Sequence, residues 1–411
     1  MPKVSVVIPV YEVEKYLPAC LDSVLSQSLQ DIEVICIDDA SPDRCPEILD
    51  EYASRDTRVR VLHLSENHQQ GYGRNRGMEL AKGKYVYFLD SDDMITQEAL
   101  EELCELAEQE QLDGIFFDSQ VIFDNKELEK RNTYYSAKRH GKYESVVYSG
   151  PALYESFFQQ GEWNCYVQRT FWKKKYLLDN KVFFPENTEH EDEYFTFRGI
   201  LFAKRVRYIP AGYFIRRYRK GSVMTRPAHP KDFHGYFVNF HAMVDMTEEL
   251  GYTNAAIDAN ILYIFDKMEY YFPLFSAKED PRKWFHTKEE IRDYRCYCYL
   301  KRVDNYLQHL LDSLTVPIPP KNHVWIYGAG VVGQRVYRVM INSGYIVDGF
   351  LVTNKQGNPE VLCGREVLQI DGVKPAEDKT AIVAVSGTAR EEVKKILEDF
   401  GWNYSVFITG R

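Results

Sequence analysis

The sequence predicts an α/β protein: a mostly parallel sheet with helices on both faces, then a helical stretch, then a second, small α/β unit. Three observations predict it. β-Branched and apolar runs alternate with helix-period segments from the N-terminus onward. From about residue 232 that alternation gives way to long aromatic stretches at helical spacing, and a glycine-rich turn between two apolar runs opens the C-terminal part.

The elements follow in order. VSVVIPVY (4–11) is a strand and LPACLDSVLSQSL (17–29) a helix; IEVICIDDASPD (32–43) is a strand running into acids and a turn, and PEILDEYASR (46–55) a second helix. VRVLHLSEN (59–67) is the third strand. GYGRNRGMELAKG (71–83) opens with glycines and reads as a helix stopping at Gly83, where a C′ glycine is expected. KYVYFLDSDD (84–93) is the fourth strand and ITQEALEELCELAEQE (95–110) a helix. EWNCYVQRTFWKKKYLL (162–178) carries aromatics near helical spacing, most of them expected in the core.

With 411 residues and 45% hydrophobic content, two or three domains with real cores are expected, divided at 1–230, 231–316 and 317–411. TVPIPPKN (315–322) cannot continue a helix and reads as a linker. The net charge of -10 argues against a general nucleic-acid binder. No segment approaches the roughly 18 apolar residues of a membrane helix, and the N-terminus reads as a strand rather than a signal peptide, so a cytoplasmic protein is expected. The eight cysteines are scattered without zinc-type spacing and read as reduced core thiols.

In parallel α/β sheets ligands gather at the carboxyl ends of the strands. The second strand ends in Asp38 and Asp39, the fourth in Asp90, Ser91 and Asp92, followed by Asp93; both sets should lie on one edge. Such carboxylates suit a hard divalent cation, Mg2+ or Mn2+, that also grips phosphate oxygens. The competing explanation is a polar turn and N-cap before the following helix. Asp38, Asp39 and the glycine-arginine segment between the two clusters favour the ligand site.

At these residues a resemblance enters. VSVVIPVYEVEKYLPACLDSVLSQSLQDIEVICIDDASPD followed by GYGRNRGMELAKGKYVYFLDSDD closely resembles the N-terminal half of glycosyltransferase family 2 enzymes of the bacterial polysaccharide type, which have the GT-A fold. The resemblance implies a nucleotide-sugar donor, usually a UDP-sugar. Pro9, Tyr11 and Glu12 would frame the base and Asp39, beside Asp38, would contact the nucleoside; Tyr11 also suits a packed strand position. Arg74 and Asn75 match the family's Arg-Asn pair. Asp90 and Asp92 match its Asp-x-Asp motif, with Asp92 the direct metal ligand and Asp90 turned to ribose or metal-bound water; Asp93 is an outer partner or the helix N-cap.

The acids of FPENTEHEDEYFTFRGILFA (184–203) suit a helix N-terminus electrostatically. The resemblance gives Glu191 and Asp192 a further use, because family members place a Glu-Asp pair there that supplies the base for direct, inverting displacement; Asp192 is the expected base, Glu191 the reserve, and His190 reads as a surface histidine. In YFIRRYRKGSVMTR (213–226), Arg217, Arg219, Lys220 and Ser222 resemble the family's diphosphate segment, although some relatives carry a metal-binding His there and this chain has none; an ordinary basic strand and turn is the alternative. Trp163 and Asn164 fall where relatives shape the acceptor cleft.

HVWIYGAGVVGQRVYRVMINSGYIVDGFLVTN carries Gly328, Gly330 and Gly333 in a Gly-x-Gly-x-x-Gly turn and resembles small Rossmann-like domains appended to some of these enzymes. The second strand ends in Thr353 and Asn354, without the acid that would bind an adenosine ribose, and Asp348 stands at its start. A structural or assembly module is therefore favoured over NAD binding. The expected activity is metal-dependent hexosyl or N-acetylhexosaminyl transfer to a glycan, polysaccharide or lipid-linked acceptor in cell-envelope synthesis. Peripheral membrane association and homo-oligomers are compatible with it. The alternative is a nucleotide-binding oxidoreductase or regulatory sensor centred on the C-terminal glycines.

Overall fold

The computed structural model describes residues 1–131, 137–222, 226–278, 284–285, 287–298, 322–342, 344–375, 380–384 and 389–405. The chain divides into two compact units, Met1–His286 and Thr287–Arg411. The end of the helical stretch, 299–314, and most of the proline-rich linker lie outside the described residues.

In the first unit, β1 (Val4–Val10), α1 (Leu17–Leu25), β2 (Ile32–Asp38), α2 (Cys45–Arg55), β3 (Val59–His63), α3 (Gln69–Leu80) and β4 (Tyr85–Phe88) alternate as the sequence predicts. They are followed by β5 (Met94–Ile95), α4 (Ala99–Gln109), β6 (Gly114–Phe123), α5 (Lys126–Arg131), α6 (Gly150–Gln159), β7 (Thr170–Lys173), α7 (Lys174–Asp179), α8 (Glu191–Phe202) and β8 (Val206–Tyr218). One sheet runs β3-β2-β1-β4-β7-β6-β8-β5. β3, β2, β1 and β4 are parallel. β7 runs against both of its neighbours and β5 against β8, while β6 and β8 are parallel. The sheet is thus mixed beyond β4. β1 and β2 are buried along their whole length, so they read as continuous apolar runs without alternation.

Helix α3 lies close against β1 at Gly77 and against the Pro185 segment at Gly71, where no side chain intervenes. A Cβ at Gly77 would overlap Val7 Cγ1, and one at Gly71 would overlap the carbonyl of Pro185. The helix ends at Leu80 with Ala81 extended, short of the expected stop at Gly83. Gly83 serves packing instead: its N–H donates to Ser5 Oγ at 2.8 Å, and a Cβ there would collide with the Ser5 backbone. Strand β5 separates the acids of 90–93 from α4, whose N-cap is Glu98, so Asp93 does not cap that helix. The 162–178 stretch is a 3-10 turn (Val167–Arg169), β7 and α7 rather than one helix.

The unit is completed by α9 (Pro230–Leu250) and α10 (Ala255–Lys278), packed on each other, with α9 also on α8. A capping box of His229 and Asp232 starts α9, and Gly251 at φ 69° ends it. Among the described residues no helix is long and apolar enough to cross a membrane.

The second unit has a sheet of β9 (His323–Tyr327), β10 (Ile346–Val352), β11 (Val361–Leu362), β12 (Arg365–Gln369), β13 (Thr380–Val383) and β14 (Asn403–Ser405), ordered β11-β12-β10-β9-β13-β14. All its pairings are parallel except β11 with β12. Alternate residues of β9 feed two cores, Val324 and Ile326 on one face, Trp325 and Tyr327 on the other. Cys20, Cys36, Cys45 and Cys104 are core thiols as expected, but Cys296 and Cys363 are exposed, which corrects that reading for these two.

Gly77→Ala should lower stability by about 2 kcal/mol, since either α3 or Val7 must give way. An unchanged melting temperature would mean that α3 does not sit this close to β1.

Candidate active site

The carboxyl edge of β1, β2 and β4 gathers most of the residues singled out from the sequence. Pro9 is buried in β1 beneath α3, near Gly73, while Tyr11 and Glu12 emerge exposed beyond the strand. Glu12 stands at φ 52°. Asp38 is buried and accepts from Ser41 N at 3.0 Å and contacts His63 Nδ1 at 2.7 Å, so it braces its own loop. Asp39 accepts from the backbone N–H groups of His68 (2.7 Å) and Gln69 (2.8 Å) at the start of α3. Burial raises its carboxyl above the usual range despite those bonds.

Arg74, projecting from α3, is the junction of the site. Its guanidinium, almost wholly buried, donates to Asp90 Oδ1 at 2.6 Å, to Gln70 Oε1 at 2.9 Å and to Glu191 Oε1. The end of β4 and the start of α8 are thereby fastened to one cation. Asn75 pins the intervening chain, donating to the Phe184 carbonyl and to Glu186 Oε1, both at 2.9 Å, and accepting from Phe184 N at 3.0 Å. The other Asp90 oxygen accepts from Gln168 Nε2 at 2.6 Å. Ser91 is buried in the turn between the acids.

Asp92 and Asp93 face the basic end of β8. Arg219 Nε donates to Asp92 Oδ2 at 2.5 Å, Arg217 Nε to the Asp92 carbonyl at 3.2 Å, and Arg217 N to Asp93 Oδ1 at 2.7 Å. Both guanidiniums lie over the Tyr16 ring, at 5.2 and 5.3 Å. Burial first, then the neighbouring acids, raises Asp93 well above the carboxylate range; burial raises Asp92 too, against the pull of Arg219. A divalent cation would find hard carboxylate oxygens here, Asp92 already paired with Arg219 and Asp90 with Arg74. Asp92 and Asp90 are the residues that would hold it. Ser222 follows in the turn after Gly221, its carbonyl accepting from Arg226 N at 3.0 Å.

On the other side, α8 begins with Glu191, Asp192 and Glu193, a favourable charge for its N-terminus. Asp192 and Glu193 line a cavity of about 720 Å³, together with Trp163, Asn164, Tyr166 and Tyr263. The Asp192 carboxyl is raised to about 7, by burial first and then by Glu191 and Glu193. Asn164 Oδ1 on this lining is buried without a hydrogen-bond partner among the described residues. Trp163 packs edge-on to Tyr154, centroids 4.9 Å apart, so it serves core and cavity together.

His190 is not the surface residue expected. It caps α8 in the left-handed conformation (φ 62°), stacks on Tyr236 at 4.3 Å and bonds Asp232 Oδ1 through Nε2 at 3.0 Å. Burial opposes its charge, but Asp232 and then Asp192 raise its pKa above the ordinary value. Glu189, His190 and Asp232 are close enough to share a metal, yet Arg226 already bridges Glu189 and Asp232. Gln168 and this Arg226 network were missed in the sequence. Gln168 was hidden by the aromatic stretch around it, and the network joins Arg226 to Glu189, 37 residues away.

In the second unit, Gly328 takes φ 115°, Gly330 is exposed, and a Cβ at Gly333 would overlap the Gly328 carbonyl. The Thr353 hydroxyl at the end of β10 pairs with Tyr327 at 2.5 Å, and Asp348 pairs with His323 at the strands' opposite ends.

Residues 5–165 match the family described as glycosyl transferase family 2. EpsJ of Bacillus subtilis (strain 168), named an uncharacterized glycosyltransferase, is 32% identical over 56% of this chain and 65% of its own length. Glycosyltransferase GlyG of Streptococcus pneumoniae serotype 4 is 30% identical over 54% of this chain and 72% of its own. Staphylococcus aureus TarS 1–349, solved with UDP-GlcNAc, superposes with a TM-score of 0.51 at 21% identity, covering 68% of this chain and 77% of that one; this likeness bears on fold alone.

Asp192→Asn should reveal the raised carboxyl. The folded state keeps this proton up to about pH 7, whereas the unfolded chain loses it near the ordinary value of about 3.9, so wild-type stability falls as pH rises between them. The variant should therefore match the wild type in melting temperature near pH 4 and exceed it at pH 8. Equal melting temperatures at both would place Asp192 in an ordinary, solvated setting.

Proposed function

The chain belongs to glycosyl transferase family 2, and we propose that it moves a sugar from a nucleotide-sugar donor to a hydroxyl of a glycan acceptor, with inversion, using Asp192 as base. The observation that carries the reading is the single guanidinium of Arg74, which links Asp90 on the donor edge to Glu191 beside Asp192 at the cavity. A donor on the strand edge and an acceptor in the cavity would meet across that link.

The nucleoside would lie over Tyr11 and Glu12 toward Asp39, with the diphosphate near Asp90 and Asp92. A cation held by Asp92 and Asp90 would supply charge neutralisation of the departing diphosphate. Arg217 and Arg219, already at Asp92, are within reach of the same developing charge. Asp192 removes the acceptor proton as the new C–O bond forms at the anomeric carbon and the bond to phosphate breaks, its raised pKa being suited to general-base work near neutrality. Asn164 Oδ1 offers an unused acceptor for a sugar hydroxyl, and Trp163 and Tyr166 offer faces for a ring. Because TarS was solved with UDP-GlcNAc, UDP-sugars are the first donors to try.

The alternative, a dinucleotide enzyme centred on the C-terminal glycines, lacks a ribose acid: Thr353 is committed to Tyr327 and Asp348 to His323. We propose a structural or assembly role for that unit.

A screen of nucleotide sugars for Mn2+- or Mg2+-dependent hydrolysis or transfer tests the reading. Asp92→Ala and Asp192→Ala should each lose about a hundredfold or more in kcat, and Asp192→Ala should still bind UDP. Undiminished activity in both would overturn the mechanism. In the wild type, kcat/KM should rise with pH through about 7 as Asp192 loses its proton; a flat profile from pH 5 to 9 would remove Asp192 as base.

A further inference from the structure

The cavity that contains Asp192 has a wall that lies beyond residues 5–165, the part of the chain matched by the family. Helix α10 contributes Ala259, Asn260, Tyr263, Lys267 and Tyr271 to the lining, a set at helical spacing that forms one stripe. Ile257, Ile264, Met268 and Phe275, elsewhere on the helix, are buried in the core. Both ends of the stripe are held in place. The Tyr154 hydroxyl donates to the Ala256 carbonyl at 2.7 Å, and the same ring packs edge-on to Trp163. Tyr271 stacks on Tyr236, with centroids 5.7 Å apart, and Tyr236 stacks in turn on His190 at the head of α8.

Asn260 is 6% exposed, and its Nδ2 is buried with no hydrogen-bond partner among the described residues. A buried amide donor left unmet is destabilising, and a leucine of similar volume would avoid that cost. Asn164 Oδ1, an acceptor, is unmet on the same lining. One unpaired donor and one unpaired acceptor in a single cavity match a ligand whose polar groups both donate and accept, as sugar hydroxyls and acetamido groups do. Tyr263, on the same stripe as Asn260, is 46% exposed, with Lys267 Nζ 5.2 Å from its ring centre. A half-exposed ring on a cavity lining offers an aromatic face to the apolar side of a pyranose.

Resting on the acceptor assignment above, we propose that α10 carries the acceptor-specificity wall: Asn260 hydrogen-bonds a hydroxyl or an acetamido group of a hexose while Tyr263 stacks on its ring. Both groups offer the neutral oxygen that the amide N–H needs. Acceptor choice then resides outside the segment matched by the family, and donor binding within it.

Saturation-transfer NMR titration of the full chain, with UDP and Mn2+ present, tests this with methyl glucoside, methyl galactoside and methyl N-acetylglucosaminide as probes. The wild type should bind at least one of them. Preference for the N-acetyl probe identifies the acetamido group as the partner of Asn260, and equal or tighter binding of the others identifies a hydroxyl. Asn260→Leu should weaken the preferred probe about fivefold, leave UDP binding unchanged and melt at or above the wild-type temperature. Tyr263→Ala, at a half-exposed position, should weaken the probe about threefold. Unchanged probe affinity in either variant overturns the proposal. So does an Asn260→Leu protein less stable than the wild type, because the amide would then serve packing. UDP binding in the wild type with none of the probes bound removes the α10 wall alone, whereas failure to bind UDP removes the donor reading.

Discussion

The first unit turns on one buried cation. Arg74 has almost no contact with water, and two carboxylates from opposite ends of the site, Asp90 and Glu191, converge on it. Arg74 would be costly to bury without them. The requirement explains features that look unrelated. Helix α3 must come close to β1 and to the segment before α8 for the Arg74 stem to reach both acids, hence Gly77 against Val7 and Gly71 against the Pro185 carbonyl, where any side chain would collide. Asn75, one residue on, takes both backbone groups of Phe184, so the chain leading into α8 arrives in a fixed place.

Around this anchor the charges are arranged in layers. Asp92 and Asp93 are turned away from Arg74 toward Arg217 and Arg219, and Glu189 and Asp232 toward Arg226. The basic segment at the end of β8 thus touches acids on both sides of the proposed reaction centre. Among the described residues Asp192 has no cationic hydrogen-bond partner, and it accepts from the Cys165 thiol at 3.8 Å. A carboxyl in that position can exchange a proton without breaking an ion pair, which Glu191, Glu189 and Asp232 cannot.

The first four strands, the helices between them and the acids at their ends were legible in the sequence, because each rests on local periodicity and on short βα connections. The reversal at β7 was not, since a four-residue strand after a 3-10 turn leaves no periodic trace and its pairing with β4 and β6 is decided by tertiary contacts. The helix stop at Gly83 was misjudged for a related reason: the glycine answers to the Ser5 backbone across the fold, not to the local cap. At the site, Asp90 and Asp92 stood out as acids closing an apolar run, and Glu191 and Asp192 through the family resemblance, at the head of a helical run. Gln168 did not, because its significance lies in a partner tens of residues away. His190 was misread because an isolated polar residue in an acidic run carries no sign of burial.

The left-handed backbone of His190 carries a cost in this part of the chain. A non-glycine residue at φ 62° stores about 1 kcal/mol of conformational strain, maintained here by the stack on Tyr236 and the bond to Asp232. Glycine would relax the turn and lose both contacts. A histidine held in strain at the head of α8 thus ties the start of that helix to α9 through Tyr236 and Asp232.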